Sequence, residues 1–306
     1  MPTPTFSQIG VEAARRFSRE SEAQYAWDPG VIVDVREETV PVDGGSIPVR
    51  IYTPPDAAAG SRLPLLVYIH GGGWVLGWLD SLGLDALCTY FCAKVNCVVV
   101  SVGYRLSPES KFPGPVEDSY AALEWAVKNA ASLGADADRV AVAGESAGGN
   151  LTAAVCIMAR DRGGPSVKFQ MPIVPVTDFS MSTESYRLFG KGYGLDQEDM
   201  LWFWRRYLRT DEDGTNPYAS PLRAKDLRGL PPAFLMVAGL DPLRDEGEAY
   251  GERLREAGVP VTVRRVEGKP HDFLLLPLGG KERDEAVAEI RRAFADTSKK
   301  GGTSPP

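Results

Sequence analysis

The sequence predicts an α/β fold in which helices flank an eight-stranded, mostly parallel sheet. Short apolar runs alternate along the chain with longer segments in which apolar residues recur every three to four positions. The short runs are typical of buried strands, and the longer segments are typical of amphipathic helices that cover both faces of a parallel sheet. The chain has 306 residues, of which 43% are apolar, so it can bury one sizeable core.

Eight runs have the length and composition of strands. The first two, 31–40 and 47–52, are expected to form a leading antiparallel pair. The six later runs are 65–69, 98–102, 140–143, 169–174, 234–238 and 261–266. Helical segments separate most of these later runs, which predicts parallel pairing through helical crossovers.

Four segments have the apolar spacing of amphipathic helices. These are 115–131, 148–160, 245–257 and 281–294. Gly134, Gly163 and Gly258 lie at or soon after predicted helix ends, where a positive φ is often required. Strands and helices together predict one α/β domain, formed by residues 31–177 and 231–297.

Two segments do not fit this alternation. Residues 1–30 are interpreted as one N-terminal helix, and residues 178–230 form an insertion that is too long for a plain crossover. The insertion contains a dense aromatic run around Trp202, which indicates helices with aromatic surface. We expect both segments to form a helical cap over the functional site. The proline-rich end, 298–306, is expected to be a flexible tail.

Composition argues against nucleic-acid binding, secretion and membrane insertion. Lys and Arg total 34 against 41 Asp and Glu, the formal net charge is −7, and no dense Lys/Arg run is present to neutralise phosphates. The first ten residues lack the basic start and apolar stretch of a secretory signal, so a cytoplasmic location is expected. The longest apolar stretch, 65–79, is interrupted by polar and glycine residues. It is shorter than the ~20 residues of a membrane helix, so no span is predicted.

The four cysteines do not have the spacing of a zinc site. Cys88 and Cys92 lie one helical turn apart, which leaves a metal pair as an alternative, but the chain has only two histidines. We therefore expect no metal, and cysteines that are reduced and largely buried.

The segment 144–148, Gly-Glu-Ser-Ala-Gly, follows a predicted strand and precedes a predicted helix. This is the context of a nucleophile elbow, a sharp turn that exposes Ser146 in a strained backbone conformation. The turn brings neighbouring residues close together, so the positions two before and two after the serine must be small. By chance alone the motif arises in roughly one such sequence in five, so its context has to support it.

The segment 70–73, His-Gly-Gly-Gly, directly follows the third predicted strand. Glycines allow backbone N–H groups to turn toward the oxyanion of a tetrahedral intermediate with no side chain in the way. We expect the N–H groups of Gly72, Gly73 and Ala147 to form this oxyanion hole. A plain tight turn, the alternative, would explain two glycines but hardly three in a row after a histidine.

Ser146 requires a base, because a free hydroxyl is a poor nucleophile near neutral pH, and histidine has a suitable pKa. The two histidines are His70 and His271. A nucleophile elbow is followed along the chain first by the acid and then by the histidine. His271, which comes after the last predicted strand, is therefore the predicted base. His70 is expected to shape the glycine segment through hydrogen bonds.

Asp241 is the predicted orienting acid, since it lies closest to the end of the seventh predicted strand. Asp245 and Glu246 fall at the start of the next predicted helix, where carboxylates complement the helix dipole without any catalytic role. Asp272 adjoins His271 in sequence and remains an alternative, although neighbours along a chain seldom point at one another.

Several aromatic residues are candidates to line a substrate pocket. They are Trp74, Trp78, Tyr193, Trp202 and Phe203. The alternative for each is that its ring only anchors the cap on the core, because large aromatic side chains are buried for packing as often as for binding.

Together these residues resemble the bacterial hormone-sensitive-lipase family, the family IV carboxylesterases of the α/β-hydrolase superfamily, over about residues 30–295. Further motifs of the family are Tyr-Arg-Leu-Ser-Pro-Glu at 104–109, Phe-Pro at 112–113, Ser-Pro-Leu at 220–222, Leu-Pro-Pro at 230–232, the segment 241–247 and His-Asp-Phe at 271–273. The resemblance implies an α/β-hydrolase fold with a helical cap, a triad of Ser146, Asp241 and His271, and the same oxyanion hole. It also implies hydrolysis of short- to medium-chain acyl esters, no cofactor and, as in many members, a homodimer formed through the edge strand near the C-terminus.

The sequence departs from the family pattern at three positions. Glu145 stands where aspartate is common, Ser107 where alanine is common, and Asp272 where glycine is frequent. Asp272 matters most, because a carboxylate beside the base is expected to raise the pKa of His271 and move the working pH upward.

Two other functions stay open at this point. Arylacetamide-type amidases and a plant dehydratase share this scaffold, so an amidase, deacetylase or lyase reaction is an alternative to ester hydrolysis. Gibberellin receptors resemble the family but lack the triad histidine, whereas His271 is present here. This difference favours catalysis over non-catalytic binding of a small molecule, and the expected partner is a small-molecule ester.

Overall fold

An eight-stranded sheet forms the centre of the molecule in a computed structural model that describes residues 6–55, 57 and 60–296. The strands are β1 (Asp34–Val42), β2 (Gly45–Thr53), β3 (Leu63–Ile69), β4 (Val98–Val102), β5 (Ala135–Glu145), β6 (Phe169–Ile173), β7 (Ala233–Leu240) and β8 (Val261–Pro270). Their order across the sheet is β1-β2-β4-β3-β5-β6-β7-β8. The predicted eight-stranded α/β fold is therefore confirmed.

Pairing within the sheet is mostly parallel. β1 pairs antiparallel with β2, and β2 pairs antiparallel with β4. From β4 to β8 every neighbouring pair runs parallel. The leading antiparallel pair is thus confirmed. The loops that follow β3, β5, β7 and β8 all leave the same edge of the sheet, where α/β proteins place their binding sites.

Helices cover both faces of this sheet. They are α1 (Val11–Glu20), α2 (Leu82–Val95), α3 (Gly114–Lys128), α4 (Ala147–Asp161), α5 (Glu184–Phe189), α6 (Gln197–Tyr207), α7 (Arg244–Glu256) and α8 (Gly280–Asp296). The four helices predicted from apolar spacing correspond to α3, α4, α7 and α8, and their ends differ from the prediction by a few residues.

The helix α2 was not among those four. It buries residues on most of its sides, Leu84, Leu87, Phe91 and Val95 among them. Its sequence therefore lacks the one-sided apolar spacing by which a surface helix is recognised. The helix ends at Asn96, whose left-handed backbone (φ 60°, ψ 62°) stops it.

Two cores lie on opposite faces of the sheet. Along β3, Leu65, Val67 and Ile69 belong to one core together with side chains of α3, α4 and α7. Leu66 and Tyr68 belong to the other core, together with side chains of α2 and α8. This alternation is the period of two that a strand imposes on its side chains. Burial on both faces explains why the strands are continuous apolar runs in the sequence.

The N-terminal segment differs from the single helix predicted for residues 1–30. It contains α1 and two 3₁₀ turns, Phe6–Gln8 and Glu22–Tyr25. Extended backbone at Gly10 (φ −73°, ψ 167°) separates the first turn from α1, so one continuous helix cannot form. Residues 1–5 of the predicted helix lie outside the described residues.

The insertion between β6 and β7 contains α5, α6 and two 3₁₀ turns. Phe6 of the N-terminal segment packs against Trp202 and Phe203 of α6, with ring centroids 6.1 and 5.6 Å apart. The two segments predicted to form a cap are therefore in contact. The predicted tail, 298–306, lies outside the described residues. Among the helices that the structure describes, none is both long enough and apolar enough to span a bilayer.

Candidate active site

Four loops meet at the carboxyl edge of the sheet. The segment 70–73 follows β3, Ser146 follows β5, Asp241 follows β7 and His271 follows β8. Because parallel strands end at the same edge, residues that are distant in sequence come together there.

Ser146 lies at the tight turn between β5 and α4. Its φ is positive, at 57° with ψ −119°, a conformation that residues other than glycine rarely adopt. The turn passes very close to β3. A Cβ atom added at Gly148 would lie 2.0 Å from the carbonyl oxygen of Ile69, and one added at Gly144 would lie 2.4 Å from the same atom. Both positions therefore require glycine, as the elbow motif predicts.

Ser146, His271 and Asp241 form one chain of hydrogen bonds. His271 Nε2 lies 2.8 Å from Ser146 Oγ, and His271 Nδ1 lies 2.8 Å from Asp241 Oδ2. Asp241 is fully buried, and its Oδ1 accepts a 2.9 Å hydrogen bond from the N–H of Leu243. A carboxylate facing Nδ1 keeps the imidazole proton on that atom, which leaves the Nε2 lone pair for the serine hydroxyl.

The surroundings of His271 also set its strength as a base. Burial lowers the pKa of the imidazole, whereas the charge of Asp241 and the hydrogen bond to it raise that pKa, with further increases from Asp272 and Glu145. The net effect raises the pKa of His271 to about 9. The imidazole is therefore a stronger base than free histidine.

The other carboxylates considered for the orienting role form hydrogen bonds with groups other than the imidazole. Asp245 accepts a 2.7 Å hydrogen bond from the N–H of Ser185, and Glu246 accepts a 2.6 Å hydrogen bond from the N–H of Thr177. Both lie in the first turn of α7, where carboxylates complement the helix dipole as expected, and both also attach the segment 177–185 to that helix. Asp272 accepts a hydrogen bond from a tyrosine of the N-terminal segment.

The glycine segment lies directly beside the serine. A Cβ atom added at Gly71 would be 3.2 Å from the Cβ of Ser146. Gly72 and Gly73 have φ values of 93° and 58°, and within the described part of the chain no backbone oxygen accepts their N–H groups. Ala147 is the first residue of α4, so its N–H has no partner within the helix. Donors of this kind beside a nucleophile can stabilise an oxyanion.

A buried carboxyl group joins the elbow to the glycine segment. Glu145 Oε1 accepts a 2.7 Å hydrogen bond from the N–H of Gly71, and Glu145 Oε2 accepts a 2.5 Å hydrogen bond from the Tyr68 hydroxyl. Burial raises the pKa of Glu145 to about 7, although both hydrogen bonds oppose that rise. The sequence showed Glu145 only as a departure from the family motif, and its position next to Ser146 was the one signal of this role.

His70 shapes the glycine segment from the other side, as predicted. Its Nδ1 donates a 2.8 Å hydrogen bond to the carbonyl oxygen of Gly71, and its ring stacks on Tyr104 with centroids 4.3 Å apart. Burial lowers the pKa of His70 to about 4, so this imidazole is neutral at physiological pH.

Trp74 and Trp78, two of the predicted pocket residues, have structural contacts. Trp74 is fully buried and stacks on Tyr207, with ring centroids 4.1 Å apart and planes 5° from parallel. It packs in the core and does not line an open pocket, which corrects the prediction. The guanidinium of Arg19, a residue of α1, lies 4.6 Å from the centre of the Trp78 ring. Trp78 therefore packs against α1.

The other three predicted residues belong to the insertion. Tyr193 is 40% exposed and packs edge-on against Phe189 at 5.2 Å. Trp202 lies under the guanidinium of Arg206 at 3.8 Å. Phe203 is different, because a Cβ atom added at Gly73 would meet its ring at 2.3 Å. Of the five aromatic candidates, Phe203 is thus in contact with the predicted oxyanion segment.

A small cavity of about 10 Å³ lies beside the serine. It is lined by three groups of side chains. These are the apolar residues Ile173, Val174, Leu274 and Leu275, the predicted catalytic pair Ser146 and His271, and the carboxyl side chains of Glu145 and Asp272. None of the five predicted aromatic residues lines this cavity. The sequence prediction overlooked its aliphatic wall because valine, leucine and isoleucine look alike in a core and in a pocket.

No metal centre is evident among the described residues, where no three His, Cys, Asp or Glu side chains are arranged to bind an ion. The cysteines Cys88, Cys92, Cys97 and Cys156 are all buried free thiols. Burial raises the pKa of each, so they remain protonated at neutral pH.

Comparisons with known proteins extend over most of the chain. A family model described as alpha/beta hydrolase fold matches residues 66–275. The carboxylic ester hydrolase LipN of Mycobacterium tuberculosis is 48% identical over 259 residues, which cover 82% of this chain and 68% of that protein. The ethyl acetate hydrolase of Pseudomonas putida is 36% identical over 290 residues, which cover 94% of this chain and 90% of that protein.

Solved structures give the same result. An ester hydrolase from the metagenome of Lake Arreo, complexed with a bipyridine phosphonate derivative, has a TM-score of 0.90 and 40% sequence identity. The match covers 96% of this chain and 94% of that chain. The resemblance inferred from the sequence motifs is thereby confirmed. The chain belongs to the α/β-hydrolase family, within the hormone-sensitive-lipase group of carboxylic ester hydrolases.

Proposed function

We propose that this enzyme is a serine carboxylesterase that hydrolyses short- to medium-chain acyl esters through an acyl-enzyme intermediate. The observation that carries the proposal is the chain of hydrogen bonds from Ser146 through His271 to Asp241, with 2.8 Å contacts on both sides of the imidazole. A serine, a base and an orienting carboxylate in contact are the requirements of nucleophilic acyl transfer.

In the first half of the reaction, His271 Nε2 takes the proton of Ser146 as the serine oxygen attacks the ester carbonyl. Asp241 stabilises the imidazolium that forms. The imidazolium then donates its proton to the leaving oxygen, and the alcohol departs while the acyl group stays on Ser146. In the second half, His271 takes a proton from water as the water oxygen attacks the acyl carbonyl, and the imidazolium then donates that proton to Ser146 Oγ as the bond to the acyl group breaks and the carboxylic acid leaves.

Negative charge develops on the carbonyl oxygen in both tetrahedral intermediates. In this proposal the N–H groups of Gly72, Gly73 and Ala147 receive that charge. One such donor typically contributes about 2.7–4 kcal/mol to transition-state stabilisation. The hydrogen bond from Gly71 to Glu145 supports this role, because it fixes the glycine segment before the substrate arrives.

The small cavity beside Ser146 favours short acyl groups. Its volume of about 10 Å³ is roughly that of one water-sized probe. Any acyl group is larger than this space, so the aliphatic wall or the cap has to move to admit it, and a longer chain requires more movement than an acetyl group. The relative from Pseudomonas putida is named for ethyl acetate, a two-carbon acyl ester, which agrees with this preference.

The remaining expectations belong to the same proposal. The contact of Phe6 with Trp202 and Phe203 supports a cap formed by the N-terminal segment and the insertion. Among the described residues β8 is the last strand of the sheet, so its outer edge supports a homodimer through edge pairing. We further propose a cytoplasmic location. Sedimentation of the full chain and fractionation of cells test these two expectations.

The central experiment is active-site labelling with a fluorophosphonate, followed by identification of the modified residue. We expect Ser146 to be labelled, and we expect no label on the Ser146→Ala variant. In the His271→Ala variant labelling should be much slower, because the base is missing. Ser132→Ala, at an exposed serine beyond α3, serves as the matched control and should label like the unmodified enzyme. A wild-type enzyme labelled at another residue would refute the proposal.

A second experiment separates the reaction classes. Rates on p-nitrophenyl esters of increasing acyl length are compared with rates on the matched anilides. An esterase gives the highest kcat/KM on short esters, and Ser146→Ala lowers kcat by at least ~10³-fold. Faster turnover of the anilides would favour an amidase, and labelling without turnover of any ester or amide would favour a binding protein.

A further inference from the structure

The 3₁₀ turn Glu22–Tyr25 lies between α2 and the loop that carries His271. The Tyr25 hydroxyl donates a 3.0 Å hydrogen bond to Asp272 Oδ2, which joins residues 247 positions apart. On its other side the turn is attached to the start of α2, where Glu22 Oε1 accepts a hydrogen bond from the N–H of Leu82. The tyrosine therefore reaches Asp272 from a fixed position.

A second contact holds the same loop independently of Tyr25. The guanidinium of Arg283 lies 3.7 Å from the centre of the Trp27 ring. It also donates 2.8 Å hydrogen bonds to the carbonyl oxygens of Leu274 and Leu276. Loss of the Tyr25 hydroxyl would thus leave the backbone of the loop supported, so a variant without it is expected to fold.

Three carboxyl groups act on the imidazole of His271. Asp241, after β7, is fixed by its hydrogen bond from the Leu243 N–H. Glu145, at the end of β5, is fixed by the N–H of Gly71. The third, Asp272, is adjacent to the base on its own loop, and its carboxylate accepts a hydrogen bond from the Tyr25 hydroxyl.

We propose that Tyr25 is a positioning residue, which holds the Asp272 carboxylate beside His271 and thereby shifts the lower pH limit of activity upward. The inference rests on the proposed role of His271 as the base. A carboxylate near an imidazole stabilises the imidazolium, so the base becomes neutral only at higher pH. An aspartate without a partner would rotate toward water, where its charge is screened.

The hydroxyl of Tyr25 is suited to this function over the whole working range. The charge of Asp272, together with burial, raises the pKa of Tyr25 well above that of free tyrosine. The hydroxyl therefore remains a donor and does not become a second negative charge near the base. Through this contact the N-terminal segment affects the proposed catalytic base.

The test is the pH dependence of kcat/KM for p-nitrophenyl acetate in four variants. Asp272→Asn should move the acid limb to lower pH by about 0.5–1 unit, which raises relative activity below the midpoint about three- to ten-fold. Tyr25→Phe should move it in the same direction by a smaller amount. The double variant should match Asp272→Asn alone, because Tyr25 acts through Asp272.

Tyr90→Phe is the matched control. Tyr90 also donates a hydrogen bond to an aspartate, Asp284, but this contact joins α2 to α8. The acid limb of kcat/KM of the Tyr90→Phe variant should therefore stay in place. An unmoved limb in Tyr25→Phe, or an equal further shift when Tyr25→Phe is added to Asp272→Asn, would overturn the inference. A fall in kcat with an unmoved limb would mean a merely structural role and would overturn it as well. Fluorophosphonate labelling of Ser146 is measured in every variant, so failure of the proposed function is recognised separately.

Discussion

The substitution Glu145→Gln tests whether the carboxyl group between the elbow and the glycine segment is buried at an energetic cost. Burial raises the pKa of Glu145 from 4.5 to about 7, so the folded protein binds this proton more tightly than the unfolded chain. The resulting contribution to the free energy of unfolding is fully present below pH 4.5 and is lost as the pH rises through about 7. At about 1.4 kcal/mol per pH unit, the loss amounts to about 3 kcal/mol.

Glutamine has the same shape but no proton to lose. Its carbonyl oxygen can still accept from the Gly71 N–H, while its amide can donate to the Tyr68 oxygen. As the pH rises from acid to alkaline, the unmodified enzyme should lose about 3 kcal/mol of unfolding free energy that Glu145→Gln does not lose. The stability of the variant relative to the unmodified enzyme should therefore increase by about 3 kcal/mol over this pH range.

The assay is urea unfolding at several pH values on either side of the pKa of Glu145. Glu117→Gln is the control, since Glu117 is half-exposed and paired with Arg162 at the surface, and its difference from the unmodified enzyme should not show this change. Parallel pH dependence of Glu145→Gln and the unmodified enzyme would refute the reasoning. It would mean that the two hydrogen bonds fully offset the burial of the charge.

Three further predictions concern the turn, the cap and the base. Gly148→Ala should destabilise the fold by at least about 1–3 kcal/mol, because its Cβ would lie 2.0 Å from the Ile69 carbonyl oxygen. The control is Gly10→Ala, whose added Cβ has no atom within 4 Å, and it should match the unmodified enzyme in thermal unfolding. Equal stability of the two variants would contradict the prediction. Phe203→Ala should open space beside Gly73 and raise the ratio of kcat/KM for hexanoate over acetate p-nitrophenyl esters by about ten-fold; an unchanged ratio would mean that the ring does not limit the substrate. The acid limb of kcat/KM should have its midpoint above 6.5, because the base must be neutral and the pKa of His271 is raised to about 9; a midpoint at or below 6.5 would contradict this.

The sheet was predictable because its strands are buried on both faces and therefore appear as continuous apolar runs. Their ends were less predictable. β5 begins at Ala135, several residues before the predicted start, because Ala135 pairs with Leu63 across an irregularity in the register. That pairing depends on a second strand, and local sequence contains no sign of it. For α2 the same burial that makes the helix stable removes the one-sided spacing by which it would have been recognised.

The positions of Ser146, Asp241 and His271 were predictable for a different reason. Each follows directly after a strand, so the topology of a parallel sheet brings them to one edge whatever the sequence in between. The glycines at 144 and 148 are required by contacts with β3, and a steric requirement of this kind is visible in a sequence. Pocket residues carry no such requirement. Trp74 stacks on Tyr207 in the core, and a tryptophan in a pocket would look the same in the sequence.

The hydrogen bonds of Glu145 and Tyr25 could not be predicted from the sequence. Each joins two loops that are far apart along the chain, 74 positions for Glu145 with Gly71 and 247 for Tyr25 with Asp272. A single hydrogen bond of this kind leaves no periodic pattern, so it becomes visible only when the loops are placed in space. The elbow and the glycine segment share one buried carboxyl group, which means that a shift of one moves the other. Reactivity at such a site therefore depends on hydrogen bonds outside the chain formed by Ser146, His271 and Asp241. Both Glu145→Gln and Tyr25→Phe should move the acid limb of kcat/KM to lower pH, because Asp272 and Glu145 both raise the pKa of His271. Only Glu145→Gln should also change how the free energy of unfolding depends on pH.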